Sequence, residues 1–349
     1  MRQSYRIIYN SLTNYGAAFI QGIVGFFLIA YIVRSIGKDA YGVVLLVITA
    51  LSVVEVLGMG LSKAVMKHVA EQQARLNIGL VNVIVSSSSW WFLFLGVLGT
   101  AVTCLIGYNF QSFVSNMPSE YVSDGKISMY IMAGSIAPCL VFDVFKGVLQ
   151  AEQRYDLVNL IGVSRSLFRM LATAIYFEVF EASIVAVVAI YAIAHVIERI
   201  LYALLSFKVV VGLSVSLKDI TWRGLHMVIG LAMFIMVASV AGILITHVLK
   251  YVVARELGPA DVTHLGVILL LAGFVNQLVR SFVNVLVPVA SKYQGLENTV
   301  VNQKLLVYGT KYAAIIVLAT AGMTMPLLSN ILELWMGPDF RSLWPLGCL

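Results

Sequence analysis

The chain has 349 residues, of which 60% are hydrophobic and 11% are charged, and its net charge is +6. A soluble domain carries about 25% charged residues, so this chain is too apolar to be covered by its own polar surface. The composition therefore excludes an ordinary soluble enzyme or binding domain.

Uncharged blocks long enough to cross a bilayer recur along the chain, the first at residues 15–33. A bilayer core needs about 20 apolar residues per helix, and backbone in lipid must satisfy its own hydrogen bonds as helix or closed barrel. The blocks lack the alternation typical of barrel strands. The pattern predicts an all-α polytopic membrane protein. About nine spans are expected, at about 15–33, 41–62, 79–107, 128–150, 157–177, 183–206, 227–250, 264–290 and 312–332.

The basic residues between these spans predict the orientation. Twelve would lie on the side of the amino terminus: Arg2, Arg6, Lys63, Lys67, Arg75, Arg154, Lys208, Lys218, Arg223, Lys292, Lys304 and Lys311. Five would lie opposite: Arg34, Lys38, Lys126, Arg255 and Arg341. The positive-inside bias places the amino terminus in the cytoplasm. Because topology explains these charges, nothing indicates nucleic-acid binding, and the short loops leave no room for an inserted soluble domain.

A repeated stretch predicts internal symmetry. YIVRSIGKDAYGVVLL (31–46) returns in looser form as YVVARELGPADVTHLGVILL (251–270). Both copies run from the end of one predicted span through a turn into the next, in the same orientation, and transporters are often built from such repeats. We therefore expect an N-lobe at 1–206, a cytoplasmic linker at 207–226 and a partial C-lobe at 227–349. The chain would be a carboxy-terminally incomplete copy of a transporter of about twelve helices.

Polar residues at helical spacing follow one face of several predicted spans. They are Thr49, Ser52 and Glu55; Ser135, Cys139, Asp143, Lys146 and Gln150; Asn159, Gly162, Ser166, Arg169 and Thr173 with Arg165; Tyr191, His195, Glu198 and Tyr202 with Arg199; His247 and Lys250; and Asn276, Arg280, Asn284 and Pro288. Charged residues at membrane depth usually face a bundle interior or water. The stripes therefore predict a water-filled cavity.

The predicted cavity is basic, with six cations against three carboxylates, a balance of +3 with the histidines left aside. The planar fork of arginine suits phosphate. The predicted substrate-binding residues are Arg165, Arg169, Arg280, Lys146, Arg199 and Lys250. The predicted ion-coupling or gate residues are Glu55, Asp143, Glu198 and His195.

Each of these residues also has a structural interpretation. Asp143 and Lys146 would neutralise each other three residues apart, Glu198 would pair with Arg199 or Arg165 as a lock, and His195 would be a packed core residue. The serines at 86–89 would be helix filler or an interface anchor. No catalytic residue, metal site or cofactor is predicted.

Three short stretches resemble the polysaccharide-biosynthesis flippases. They are YNSLTNYGAAFIQGIVGFFLIAYIVRSIGKDAYGVVLLV (9–47), LGMGLSKAVMKHVAEQ (57–72) and LELWMGPDF (332–340). These flippases are the O-antigen repeat-unit transporters of the multidrug/oligosaccharidyl-lipid/polysaccharide (MOP) exporter superfamily.

The resemblance implies a function at the bacterial inner membrane. The protein would move undecaprenyl-pyrophosphate-linked oligosaccharide, for O-antigen, capsule or exopolysaccharide, to the periplasmic leaflet by alternating access. Its partners would be that substrate, H+ or Na+ as coupling ion, membrane lipid and the polysaccharide polymerase machinery. Two alternatives stay open. The first is a drug/cation antiporter of the same superfamily, which would be expected to have an acidic or aromatic cavity. The second is an O-antigen polymerase-type enzyme, which would be expected to have a long periplasmic loop.

Overall fold

The computed structural model of the chain describes residues 2–114, 116–243, 248–276 and 299–347, and they are nearly all helical. The helices are α1 (Arg2–Ile36), α2 (Lys38–Ala74), α3 (Ile78–Tyr108), α4 (Phe110–Phe113), α5 (Ser119–Ala151), α6 (Tyr155–Val179), α7 (Ile184–Val209), α8 (Trp222–Ile243), α9 (Leu249–Glu256), α10 (Pro259–Asn276), α11 (Thr299–Thr324), α12 (Leu328–Met336) and α13 (Trp344–Gly347). Short 3-10 turns occupy Leu217–Asp219, Met325–Leu327 and Pro338–Leu343.

Within these ranges, seven helical segments are long and apolar enough to cross a membrane, by length and composition. They are Thr13–Ile36, Ile78–Tyr108, Ser119–Ala151, Tyr155–Val179, Ile184–Val209, Pro259–Asn276 and Leu306–Met336. Helices α2 and α8 lie over the other two predicted spans. The prediction of an all-helical polytopic membrane protein is confirmed. Residues 277–290 of the eighth predicted span lie outside the described residues.

The chain divides into two compact units, one up to Thr263 and one from His264. In the first unit α5 packs against α2, α3 and α7, while α1 packs on α6 and α8 packs on α2 and α3. In the second unit α12 packs on the Pro338–Leu343 turn, where the ring of His264 meets the edge of Phe340 at 5.4 Å. The lobe boundaries near 206 and 227 stay predictions.

The two copies of the repeat meet in space. Each turns between two helices at a glycine with positive φ, +86° at Gly37 and +113° at Gly258, a conformation that glycine adopts at little cost. A Cβ on Gly42 would lie 1.8 Å from the carbonyl oxygen of Pro259, so the two backbones touch. The hydroxyl of Thr263 donates to the carbonyl of the first residue of α2 at 2.6 Å. Glycine is therefore required where the copies cross.

Two of the four consecutive serines of α3 have a more specific role than the sequence indicated. The hydroxyl of Ser86 accepts from the backbone N–H of Ser216 at 3.1 Å, and that of Ser87 accepts from the N–H of Thr221 at 3.0 Å. Gly224 permits this approach, because a Cβ there would lie 2.7 Å from the Ser87 oxygen. These serines anchor the segment between α7 and α8 to α3.

Candidate functional site

A cavity of about 300 Å³ lies inside the first unit, between α1, α2, α5, α6 and α7. Its charged lining residues are Asp143, Lys146, Arg165, Glu198 and Arg199. Three polar stripes predicted on separate helices thus converge on one space. The helices bring these residues together because each stripe faces the bundle interior, where burial of a charge is tolerated only with partners or water.

Glu198 is the centre of the ion-pair cluster beside this cavity. It is only 4% exposed. Its Oε1 accepts from the hydroxyl of Tyr202 at 2.8 Å, and its Oε2 accepts from Arg199 and, at 3.4 Å, from Arg165. Both carboxylate oxygens are therefore occupied, as expected of a structural lock between α6 and α7.

Asp143 pairs across helices and not along its own helix. The Nε of Arg199 on α7 lies 3.0 Å from Oδ1 of Asp143 on α5. The expectation that Asp143 and Lys146 neutralise each other is thereby corrected. The physical reason is reach: the guanidinium fork of Arg199 touches Asp143 and Glu198 together and so neutralises two buried carboxylates.

Lys146 is left as the available cation of the cavity. It is half-buried and lines the cavity, and it has no hydrogen bond or ion pair within the described part of the chain. Three cations and two carboxylates line the cavity, which leaves an excess of one positive charge. Because Arg199 engages both carboxylates, that excess resides at Lys146.

Arg165 ties three helices together. Its Nη2 donates to Oε1 of Gln21 on α1 at 3.2 Å, and its Nη1 lies 3.3 Å from Nε2 of His195 on α7. The buried Nε of Arg165 has no hydrogen-bond partner among the residues that the structure describes. His195 is 2% exposed, and its ring stacks on Tyr191 with centroids 4.4 Å apart. His195 is thus a packed residue of the cluster.

Arg169 faces a different environment from the one predicted. Its guanidinium carbon lies 4.3 Å from the centroid of the Tyr191 ring, a cation–π geometry. It does not line the 300 Å³ cavity. Its place one turn from Arg165 on α6 follows from the helical spacing, and from there it contacts Tyr191 of α7.

Of three other predicted site residues, Lys250 alone has a side chain that the structure describes. Lys250 lies half-buried in α9 and does not line the cavity. Glu55 lies in α2, with a side chain outside the described part of the structure, and Arg280 lies outside the described residues. Within the described ranges, no group of three or more His, Cys, Asp or Glu residues is placed to hold a metal ion.

A second, wider space of about 640 Å³ opens where α1 begins, α2 and α5 end and α6 begins. We call it the carboxamide groove, because Asn10, Asn14, Gln150 and Gln153 line it. Beside it, the hydrogen bonds of Arg154 to Asp156 raise the pKa of the guanidinium above its usual value. The sequence did not reveal the groove, because uncharged amide side chains near the ends of membrane spans resemble ordinary interfacial residues. Of the four amide residues, only Gln150 belonged to a predicted polar stripe.

No family model matches the chain, and no curated protein is significantly similar to it. Solved structures do match. An inward-facing multidrug resistance MATE family transporter of the MOP superfamily has a TM-score of 0.78 and 15% identity, over 94% of this chain and 76% of that one. This chain has the fold of MATE-family transporters.

Two further structures have the same fold. A MOP superfamily transporter from Pyrococcus furiosus, described as having a binding pocket of reverse polarity that suggests a different function, has a TM-score of 0.71 and 15% identity, over 98% of this chain and 76% of that one. An outward-facing multidrug resistance MATE family transporter has a TM-score of 0.66 and 16% identity, over 97% of this chain and 76% of that one. The similarity therefore spans nearly the whole chain.

Proposed function

We propose that this protein is a flippase that moves undecaprenyl-pyrophosphate-linked oligosaccharide across the bacterial inner membrane by alternating access, with its amino terminus in the cytoplasm. The observation that carries the proposal is the excess positive charge of the cavity at Lys146. An unpaired cation facing a polar cavity favours an anionic ligand, since ligand charge would offset the cost of its burial.

The size of the cavity supports a role in binding one part of the substrate. About 300 Å³ is at the lower end of the range of small-molecule sites, so it suits a pyrophosphate and is too small for an oligosaccharide as well. Lys146 would contact the phosphate oxygens, and the Nε of Arg165 would supply a second donor. Arg169, Lys250 and Arg280 would be further basic contacts along the path, and the lipid tail would stay in the bilayer. Arg199, predicted from the sequence as a substrate contact, would instead hold the two carboxylates in place.

In this proposal, carboxylates bind the H+ or Na+ that drives transport. Arg199 is the one charged partner of the Asp143 carboxylate in the described part of the chain, whereas Glu198 has several. Asp143 is therefore the better candidate to exchange its partner for a proton or sodium ion. Glu55 is a second candidate, and Glu198 and His195 would hold the cluster as gate residues.

A drug/cation antiporter is the second candidate function, and the solved structures favour it, because two of them are described as multidrug resistance transporters. The cavity favours an anion instead. The described reverse polarity of the Pyrococcus furiosus pocket supports the idea that one fold accommodates cavities of different sign. A polymerase-type enzyme has no such support, since these neighbours are described as transporters.

The test is complementation of a strain that lacks its repeat-unit flippase. The strain receives the wild-type chain, Lys146→Gln, or Lys218→Gln as a control that removes an exposed lysine of the linker. Surface polysaccharide and undecaprenyl-linked oligosaccharide are assayed together, with ethidium efflux in parallel. We expect wild type and Lys218→Gln to restore polymer and clear the trapped intermediate, and Lys146→Gln to fail. Ethidium efflux without restored polymer would refute the flippase and favour the antiporter.

A further inference from the structure

The carboxamide groove has the composition of a site for an uncharged polyol. Asn10, Asn14, Gln150 and Gln153 line it, and each carboxamide offers one acceptor oxygen and two N–H donors. A sugar hydroxyl offers one donor and two acceptor lone pairs, so the two sets of groups complement each other. Met66, Ala70 and Ala151 add aliphatic surface for the apolar C–H faces of a pyranose ring.

The groove carries no net charge, unlike the cavity. Its charged lining residues are Lys67 and Glu71, which pair at 3.8 Å one helical turn apart and so cancel. A cationic drug or a free phosphate would find no excess of opposite charge here. The volume of about 640 Å³ falls within the range of small-molecule sites.

Polar groups in the groove are available to a ligand. The half-buried side chain of Gln150 makes no hydrogen bond within the described residues. The amide of Asn10 donates to the backbone oxygen of Gln153 at 3.3 Å, and the side chain of Gln153 is exposed. Gln153 has φ of +56°, a left-handed conformation that costs energy for a residue with a Cβ. Such local strain is often retained at binding sites.

A hydrogen bond joins the lining of the groove to the lining of the cavity. Asn14 lines the groove and Asn159 lines the cavity, and the amide of Asn159 donates to the Asn14 oxygen at 2.6 Å. We propose that the carboxamide groove binds the neutral sugars of the substrate while the adjoining cavity binds its pyrophosphate. This inference rests on the proposed flippase function and divides its substrate between two subsites.

The experiment measures binding of two soluble probes to the purified 349-residue chain by equilibrium dialysis. One is the oligosaccharide released by mild acid from the lipid-linked units that accumulate in the flippase-deleted strain; the other is inorganic pyrophosphate. The variants are Gln150→Leu, Ala151→Trp to fill the groove, Lys146→Gln, and Gln111→Leu as a matched control at an exposed glutamine of α4.

We expect Gln150→Leu to weaken oligosaccharide binding about fivefold, the loss of about one hydrogen bond, and Ala151→Trp to abolish it. Neither should change pyrophosphate binding, which also shows that the variants are folded. Lys146→Gln should weaken only pyrophosphate, and Gln111→Leu should weaken neither probe.

Other outcomes overturn the inference in distinguishable ways. Pyrophosphate binding without oligosaccharide binding, or oligosaccharide binding that is unchanged in both groove variants, would refute the sugar subsite and leave the flippase proposal standing. Failure of the wild-type chain to bind either probe would refute the proposed function and this inference with it.

Discussion

Two substitutions in one cavity separate a structural charge from a functional one. Arg199→Gln and Lys146→Gln each remove one positive charge from the same lining. Arg199 contacts Asp143 at 3.0 Å and also Glu198, and its side chain is 8% exposed. Its loss leaves the buried Asp143 carboxylate without its charged partner, which costs about 3–5 kcal/mol. Lys146 has no such partner among the described residues, so its loss should change stability by less than about 0.5 kcal/mol.

The assay is thermal unfolding in detergent with a thiol-reactive dye. All variants carry Cys104→Ser and Cys348→Ser, because Cys104 is a partly exposed free thiol that the dye would label in the folded chain. The remaining Cys139 is 2% exposed, so its labelling reports unfolding. At roughly 2–4 °C per kcal/mol, Arg199→Gln should lower the melting temperature by on the order of 10 °C. Lys146→Gln should leave it nearly unchanged while it abolishes complementation.

A double variant sharpens the comparison. Asp143→Asn combined with Arg199→Gln removes both members of the pair and should recover much of the lost stability, because the cost arises from the orphaned charge. If Lys146→Gln lowered the melting temperature as much as Arg199→Gln, Lys146 would be a structural residue and the argument for an anion site would be wrong.

Two further predictions concern packing. Gly42→Ala should destabilise the chain by about 1–3 kcal/mol, because the added Cβ would lie 1.8 Å from the Pro259 oxygen. The control is Gly134→Ala, since a Cβ at Gly134 would have nothing within 4 Å. Equal melting temperatures for the two variants would contradict the contact between the repeat copies. Ser87→Ala should speed proteolysis of the segment before α8, since it removes a hydrogen-bond acceptor worth about 1 kcal/mol. Ser88→Ala removes a hydroxyl with no hydrogen-bond partner in the described structure and should have little effect; similar cleavage of both variants would refute the anchoring role.

Much of the architecture was predictable because it depends on local composition. A run of uncharged apolar residues has few stable conformations in a bilayer other than a helix, so the helical membrane bundle followed from the blocks. Helical spacing likewise placed Asp143 and Lys146, or Arg165 and Arg169, near one face of a helix. The positive φ of Gly37 and Gly258 accords with glycines repeated between two apolar runs.

Contacts between helices were not predictable in the same way. Spacing assigns a residue to a face, but the rotation of each helix in the bundle and the reach of its long side chains decide which residue it meets. Thus Arg169 meets Tyr191, and the hydroxyls of Ser86 and Ser87 meet a segment about 130 residues away. The carboxamide groove was hidden for the same reason, since its lining comes from the ends of four helices.

The sequence by itself determined that this chain is a helical membrane protein with charged stripes inside its spans, because hydrophobicity and period are properties of each segment alone. Only the tertiary structure decided which of those charges neutralise one another. Arg199 reaches from α7 to Asp143 on α5, and this one contact changes Lys146 from half of an ion pair into the available cation of the cavity. The pairing depends on distances between helices, and no single helix contains that information.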